Sequence, residues 1–157
     1  LEFRRVLFRS LCELGVAGIV VFRSRREVAH GDEARLAKLG RTALEACKQC
    51  GRADVPPVTG ADSLQAAVAV SGVPASRALV MYEQSTGTLL SCAVTRAGDP
   101  AVSPWLLASG PEGGFHADEI AAVADSATVV TLGPRILRAE TAPLAAVSAM
   151  LALGGDL

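Results

Sequence analysis

Histidine is scarce in this sequence, and its scarcity limits the metal chemistry that the chain can support. The two histidines, His30 and His116, lie in unrelated segments. Cys47 and Cys50 have the C-x-x-C spacing of half a zinc site, but zinc requires two further ligands that no nearby segment supplies. Both cysteines also fall on the apolar stripe of a predicted helix, where free thiols are usually buried. We therefore predict no metal site and no disulfide.

Long apolar runs and the common nucleotide-binding motifs are also missing. No run reaches the roughly 18 residues that a membrane span needs, and no charged and then apolar leader with a cleavage site is present, so we expect a cytoplasmic protein without membrane contact. Neither G-x-G-x-x-G after the first strand nor G-x-x-x-x-G-K-[ST] occurs. Neither H-E-x-x-H nor a serine or cysteine elbow with a histidine is found. These absences disfavour nucleotidases and hydrolases.

The charge of the chain is nearly balanced in total but not along its length. The net charge is −1, which argues against a strong nucleic-acid binder. Residues 1–52 carry eleven Arg or Lys against six Asp or Glu, whereas residues 53–157 carry four against ten. The basic first third is therefore the part that could face an anionic partner.

Apolar runs alternate with segments of helical period. Strands are predicted at 16–22, 78–82, 104–109 and 128–132, and the first, third and fourth of them are predicted to be buried. Helices are predicted at 32–51, 62–70 and 141–153, with Asp62 and Thr141 as N-caps of the last two. Residues 53–59 fit a connection or an edge strand, and 89–95 fit either a short helix or a strand. The alternation is typical of an α/β domain with a mainly parallel sheet and flanking helices.

The first ten residues stand apart from this pattern. Residues 1–10 fit neither the helical nor the strand period and have no helix start signal. We interpret them as a non-native leader, exclude them from fold reasoning and expect a domain over residues 11–157.

Two glycine-marked loops follow strands that we expect to be neighbours. The first glycine loop is residues 110–114, GPEGG, and the second glycine loop is residues 132–142, LGPRILRAETA. In parallel sheets such loops form a crevice at the carboxyl ends of the strands, where small ligands bind. The second loop combines apolar side chains with Arg135, Arg138 and Glu140. This mixture favours an adenosine-like ligand that is recognised by main-chain groups.

Several arginines lie where a phosphate could be bound. Arg23 and Arg25 follow the first predicted strand, and Arg52 lies just past Gly51, the predicted helix stop. Guanidinium groups suit phosphate contacts. A solvated loop explains the first two equally well, and we keep both interpretations.

The two glycine loops also carry a family resemblance. GPEGGF at 110–115 and LGPRILRAETA at 132–142 resemble the paired signatures of SPOUT methyltransferases, above all the family of ribosomal RNA small subunit methyltransferase E. ELGV at 13–16 and EACKQCGRADVPPV at 45–58 are similar to earlier segments of that family. The resemblance implies S-adenosyl-L-methionine as methyl donor, N3 of a uridine in 16S rRNA as acceptor, a C-terminal trefoil knot and a homodimer. It also implies an N-terminal RNA-binding domain of the PUA type, which these 157 residues do not contain.

Site residues follow from the resemblance by position. The implied cofactor pocket consists of Gly110, Glu112, Gly113, Leu132, Gly133, Ile136, Leu137 and Ala139. We expect Arg138 to stabilise negative charge on the uracil carbonyl oxygens, and Glu140 either to accept the N3 proton or to hold Arg138. Glu140 could equally serve a helix dipole. Arg52, Arg23 and Arg25 are the expected contacts to 16S ribosomal RNA or the small ribosomal subunit.

Two other functions use the same features. A non-catalytic RNA-binding or assembly module would keep the fold and would tolerate loss of the Arg138 or Glu112 side chain. A different transferase or nucleotide-dependent enzyme would use the crevice for a phosphorylated nucleotide.

Overall fold

Helices and strands alternate along the chain as the sequence predicts. The computed structural model describes residues 2–26, 33–85, 87–101 and 104–157. The helices are α1 Glu2–Glu13, α2 Glu33–Cys50, α3 Leu64–Ser71, α4 Leu90–Ala97, α5 Ala117–Ala121 and α6 Thr141–Gly154, and a 3-10 turn spans Ala75–Arg77. The strands are β1 Ile19–Phe22, β2 Val58–Ala61, β3 Ala78–Met81, β4 Leu106–Ser109 and β5 Thr128–Val130. The α/β class with flanking helices is confirmed.

The strands form two parallel sheets, one with the order β1-β2 and one with the order β4-β3-β5. The central strand β3 pairs in register with β4, Ala78 opposite Leu106, and with β5, Leu79 opposite Thr128. All four β3 residues are buried, whereas all four β1 residues are only half-buried. The prediction of a buried first strand is thus wrong, because β1 pairs with β2 alone among the described strands. The buried strands predicted at 104–109 and 128–132 are also only partly buried, because β4 and β5 flank β3 and each buries one residue. Residues 58–61 are an edge strand.

Apolar side chains cover both faces of the three-stranded sheet. Ala78 and Val80 point to one face, where they pack against α3 and Phe115. Leu79 and Met81 point to the other face and pack against α4 and α6. The Phe22 and Phe115 rings stack with centroids 6.0 Å apart and an interplanar angle of 10°. This stack connects the end of β1 to the chain that follows β4 of the three-stranded sheet.

The first helix corrects the prediction for residues 1–10. Residues 2–10 belong to α1, which packs against α2. Phe8, Leu11 and Cys12 are buried and form an i, i+3, i+4 stripe. The stripe was missed because a boundary at residue 10 divides it. A non-native origin of these residues stays a prediction.

Helix ends account for other differences. Ser63, not Asp62, caps α3, because its hydroxyl accepts from the Ala66 N–H at 3.0 Å. Thr141 is the first residue of α6 and Glu140 is its N-cap, without a side-chain capping bond. The ambiguous residues 89–95 are mostly helical, as part of α4. The predicted helix start at Asp32, and His30, lie outside the described residues.

The cysteines are free, but they are not all buried. Cys12 and Cys47 are buried, whereas Cys50 and Cys92 are exposed. The prediction of a buried thiol is therefore right for Cys47 and wrong for Cys50, which lies on the last turn of α2 and is less covered there. In the described part of the chain, no group of three or more His, Cys, Asp or Glu side chains could hold a metal ion. No described helix combines the length and apolarity that a membrane crossing requires.

Candidate small-molecule site

A cavity of about 740 Å³ opens at the carboxyl ends of β3, β4 and β5. The first glycine loop forms one wall and the second glycine loop forms the other. The expectation that these loops follow neighbouring strands is wrong, because β3 lies between β4 and β5. The end of the central strand therefore forms the floor between the two loops.

The structure brings all ten residues predicted for cofactor binding and catalysis into this cavity. The lining includes Gly110, Glu112, Gly113, Leu132, Gly133, Ile136, Leu137, Ala139, Arg138 and Glu140. Residues separated by the whole of α5 and β5 thus share one site. Their individual roles remain predictions.

Hydrogen bonds inside the first glycine loop and at the start of α5 fix the conformation of this loop. The Gly114 N–H donates to the Pro111 carbonyl oxygen at 2.9 Å, which closes a turn with Gly114 at φ +69°. His116 then caps α5: its Nδ1 accepts from the Asp118 N–H at 3.3 Å, and its own N–H donates to Glu119 at 2.8 Å. These reciprocal bonds form a capping box. They fix the chain that leaves the loop.

Two hydrogen bonds between the Thr131 side chain and the Gly133 main chain shape the start of the second glycine loop. The Thr131 hydroxyl donates to the Gly133 carbonyl oxygen at 3.1 Å and accepts from the Gly133 N–H at 3.2 Å. The φ of Gly133, +112°, lies in the region that favours glycine. Farther along the loop, the Ile136 side chain is 80% exposed. Such a large exposed apolar side chain at a cavity is available to cover a ligand or a partner surface.

Arg138 and Glu140 place opposite charges on the second glycine loop. The Arg138 Nη1 and Glu140 Oε1 atoms are 3.9 Å apart, and the Arg138 side chain is 85% exposed. Exposed ion pairs of this length contribute little to stability. The Arg138 guanidinium is therefore available to a ligand in the cavity. The Arg138 carbonyl oxygen is used differently, because it accepts from the Thr141 and Ala142 N–H groups at 2.9 Å and starts the last helix.

The arginines after β1 lie outside the cavity, but two contact the first glycine loop or its helix. The Arg25 guanidinium lies 2.6 Å from the Asp118 carboxylate, and the Arg26 Nη1 donates to the Gly113 carbonyl oxygen at 3.0 Å. Just before them in the chain, the buried Ser24 hydroxyl donates to Glu119 at 3.1 Å. Arg23 is exposed and lines a separate cavity of about 180 Å³ with Asp62. The structure thus does not bring Arg23 and Arg25 together with the predicted cofactor residues.

Arg52 also lies away from the cavity, and its donors are already used. Its Nη1 donates to the carbonyl oxygens of Cys12 at 2.9 Å and Val16 at 3.1 Å. Its Nη2 pairs with the Asp54 carboxylate at 2.5 Å. The pairing lowers the pKa of Asp54, chiefly through the side-chain hydrogen bond. Arg52 therefore joins the end of α1 and the chain before β1 to the segment after α2.

Sequence reasoning missed the contribution of β3. Met81, Tyr82 and Glu83 line the cavity from the end of this strand, and Ser109 does so from the end of β4. Tyr82 is fixed by its N–H, which donates to the Val130 carbonyl oxygen at 3.0 Å. A signal was present, because a Tyr-Glu pair directly after a buried parallel strand lies at the sheet edge where ligands bind.

Comparisons with known proteins agree with this geometry. Residues 3–151 match the family model described as an RNA methyltransferase domain. The chain is 34% identical over 146 residues to ribosomal RNA small subunit methyltransferase E of Mycobacterium bovis, covering 88% of this chain and 54% of that protein. It is 33% identical over 145 residues to the same-named protein of Bacillus subtilis, covering 88% and 56%. The chain spans about half the length of these curated relatives.

Solved structures give the same answer. Ribosomal RNA small subunit methyltransferase E from Neisseria gonorrhoeae, bound to S-adenosyl methionine, superposes with a TM-score of 0.77 at 31% identity, over 98% of this chain and 62% of that one. A methyltransferase from Legionella pneumophila in complex with S-adenosyl methionine gives 0.80 at 28% identity, over 97% and 62%. The family model covers nearly the whole chain and includes both glycine loops, and the chain therefore belongs to the RNA methyltransferase family, with the fold of the SPOUT methyltransferases.

Proposed function

We propose that this protein transfers a methyl group from S-adenosyl-L-methionine to N3 of a uridine in 16S ribosomal RNA. The observation that carries the proposal is the single cavity that gathers the two glycine loops, with Arg138 and Glu140 in its wall. The names of the relatives support the reaction and the RNA, and the bound ligand of two similar structures supports the cofactor.

The residues of the cavity fit this cofactor. A cavity of about 740 Å³ lies within the range of small-molecule sites, roughly 300–1,000 Å³. Glycine at 110, 113 and 133 lets the main chain approach a ligand closely, and Leu132 and Leu137 offer apolar contact to an adenine ring. Three carboxylates, those of Glu83, Glu112 and Glu140, suit a ligand that carries a sulfonium and an ammonium group. When bound, the cofactor supplies the methyl group.

The protein has to position the uridine and to manage its charge. N3 of uracil carries a proton that must leave on or before methyl transfer. Arg138 is placed to stabilise the negative charge that then develops on the carbonyl oxygens of the base. Glu140 accepts the proton or orients Arg138, and its 3.9 Å distance from the guanidinium allows both roles. A base in structured RNA must leave its stack to reach these side chains.

The same proposal includes the partners and the setting of the protein. We propose 16S ribosomal RNA or the small ribosomal subunit as substrate, and therefore a cytoplasmic location. Arg23 is exposed and forms no ion pair with the described residues, whereas Arg25 and Arg52 pair with aspartates, so Arg23 is the proposed phosphate contact. A homodimer is supported by the 80% exposure of Ile136, which a second subunit would cover. A trefoil knot in the chain around the second glycine loop is part of the proposed SPOUT arrangement.

Ligand binding tests the cofactor. We expect calorimetric titration of the purified chain to show binding of S-adenosylhomocysteine and no comparable binding of ATP or NAD. Preference for ATP or NAD would instead support a different nucleotide-dependent enzyme and would refute the proposal.

Turnover tests the reaction. Small ribosomal subunits that lack the N3 methyl group serve as substrate for wild type, for Arg138→Ala and for the control Arg41→Ala, which changes an exposed arginine on α2. Loss of one preorganised donor to developing charge typically costs about 10²–10³ in rate, so we expect a loss of that size for Arg138→Ala alone. Full turnover by Arg138→Ala would refute its role. A folded protein that binds the subunit without methylating it would indicate the non-catalytic module.

A further inference from the structure

The Glu83 carboxylate lines the cavity beyond the end of the central strand. It follows β3, the middle strand of the three-stranded sheet, and it lines the cavity between the two glycine loops. Its main chain is fixed on both sides. The Tyr82 N–H donates to the Val130 carbonyl oxygen at 3.0 Å, and the Ser85 N–H donates to the Tyr82 carbonyl oxygen at 3.0 Å. A ligand that contacts both glycine loops therefore lies close to the end of β3 and to Glu83.

The first glycine loop shapes the space that the Glu83 side chain occupies. A Cβ atom on Gly114 would overlap the Glu83 carboxylate, so the side chain lies directly against the glycine main chain. The carboxylate is 
exposed, and it forms no hydrogen bond or ion pair with the residues that the structure describes. A charged group that is held against a loop and faces a cavity without a protein partner is available for a cationic ligand.

The other two carboxylates of the cavity are placed differently. The Glu140 carboxylate lies 3.9 Å from the Arg138 guanidinium and forms an ion pair with it. Glu112 lines the cavity from the turn of the first glycine loop and is exposed. Of the three, Glu83 comes from the end of the central strand, and it forms no ion pair with the described residues.

We propose that Glu83 binds the α-ammonium group of the amino-acid part of the cofactor, an inference that rests on the proposed function. The ammonium group donates hydrogen bonds to the carboxylate, and the adenosine part lies toward the apolar side chains of the second glycine loop. Glu83 thereby selects a nucleoside that carries an amino acid over one that does not.

A pair of ligands separates this contact from general binding. S-Adenosylhomocysteine carries the ammonium group, whereas 5′-methylthioadenosine keeps the adenosine and the sulfur but lacks the amino acid. Glu83→Gln keeps the shape of the side chain and removes its charge. The control Glu45→Gln removes an exposed carboxylate on α2, far along the chain from the cavity. Both ligands are titrated calorimetrically into wild type and each variant.

We expect Glu83→Gln to bind S-adenosylhomocysteine about ten- to a hundredfold more weakly, as for loss of a hydrogen bond between charged groups. Binding of 5′-methylthioadenosine should stay within about twofold, and Glu45→Gln should match wild type with both ligands. Equal weakening of both ligands, or of neither, overturns the inference while leaving the cofactor in place. Lost turnover with unchanged S-adenosylhomocysteine affinity also overturns it, and would indicate a proton acceptor. If wild type binds neither ligand, the proposed function itself fails.

Discussion

The Arg26 side chain donates a hydrogen bond from Nη1 to the carbonyl oxygen of Gly113, 3.0 Å away. This bond joins the segment after β1 to the first glycine loop, across 87 positions of the chain. The approach is close, because a Cβ atom on Gly113 would lie 3.1 Å from the Cβ of Arg26. Arg26, which follows β1 of the two-stranded sheet, thus supports the first glycine loop from outside the cavity.

Removal of this support should weaken ligand binding without unfolding the protein. We expect Arg26→Ala to reduce the affinity for S-adenosylhomocysteine about two- to fivefold, because one exposed hydrogen bond that positions the loop is lost. Arg41→Ala is the matched control. Calorimetric titration gives the affinities, and equal affinity for Arg26→Ala and the control would show that the loop needs no support from β1.

Two glycines allow a paired test of main-chain conformation. Gly114 has φ +69° and faces the Glu83 carboxylate, so Gly114→Ala should lower the free energy of unfolding by about 1–3 kcal/mol. Gly40 lies inside α2 with open space around it, so Gly40→Ala should raise that free energy by about 0.5–1 kcal/mol. Denaturant unfolding measures both. Equal changes in the free energy of unfolding for the two variants would contradict the different conformations described for Gly114 and Gly40.

Arg52 should matter for stability more than for ligand binding. Arg52→Ala removes the guanidinium donor from the carbonyl oxygens of Cys12, which keeps the Gly15 N–H, and of Val16, at a cost of about 1–3 kcal/mol in the free energy of unfolding. We expect this loss in denaturant unfolding, together with unchanged affinity for S-adenosylhomocysteine. A stable Arg52→Ala protein that loses RNA binding would instead restore the phosphate contact suggested by the sequence.

The partner of Arg52 predicts a pH effect. The hydrogen bond from Arg52 lowers the pKa of Asp54 below its ordinary value of 3.8. A lowered pKa contributes stability that is fully present above pH 3.8 and disappears as the pH falls through the folded-state pKa. The stability difference between wild type and Asp54→Asn should therefore vanish in acid. A difference that persists at low pH would contradict the ion pair.

The thiols should react in two classes. Burial, helped by the neighbouring Cys47, raises the pKa of Cys12 to about 11, so this thiol stays neutral at ordinary pH. Cys47 is also buried, whereas Cys50 and Cys92 are exposed. A thiol reagent should label two cysteines rapidly in the native protein and all four after unfolding, because the thiolate is the reactive form and access is required. Mass spectrometry identifies the sites; rapid labelling of Cys12 would contradict the packing of α1.

The sequence predicts the site better than it predicts the packing around it. The glycine loops could be recognised because a parallel sheet sends its strand ends to one edge, and that rule needs no side-chain detail. The same rule could not reveal that β3 lies between β4 and β5, since the order in which strands pair depends on contacts between distant segments. Glu83 was missed for this reason, although the strand before it was predicted.

Helix α1 and Arg52 show a second limit. The apolar stripe of α1 becomes visible only when Phe8, Leu11 and Cys12 are considered together. Arg52 looks like a phosphate ligand because arginine after a helix is usually exposed. Its contact with carbonyl oxygens before β1 arises from the docking of α1 on α2, which a local pattern does not contain.

The pairing of β3 with two later strands has a consequence for the order in which the protein forms during synthesis. A nascent chain emerges from its amino end, and β3 gains its hydrogen-bonded neighbours only after Leu106 and Thr128 have been made. Pairing between distant segments is also slow, because loop closure costs entropy before any contact forms. The two-stranded sheet of β1 and β2 can assemble early, whereas the cavity is completed only when the residues that start α6 have left the ribosome.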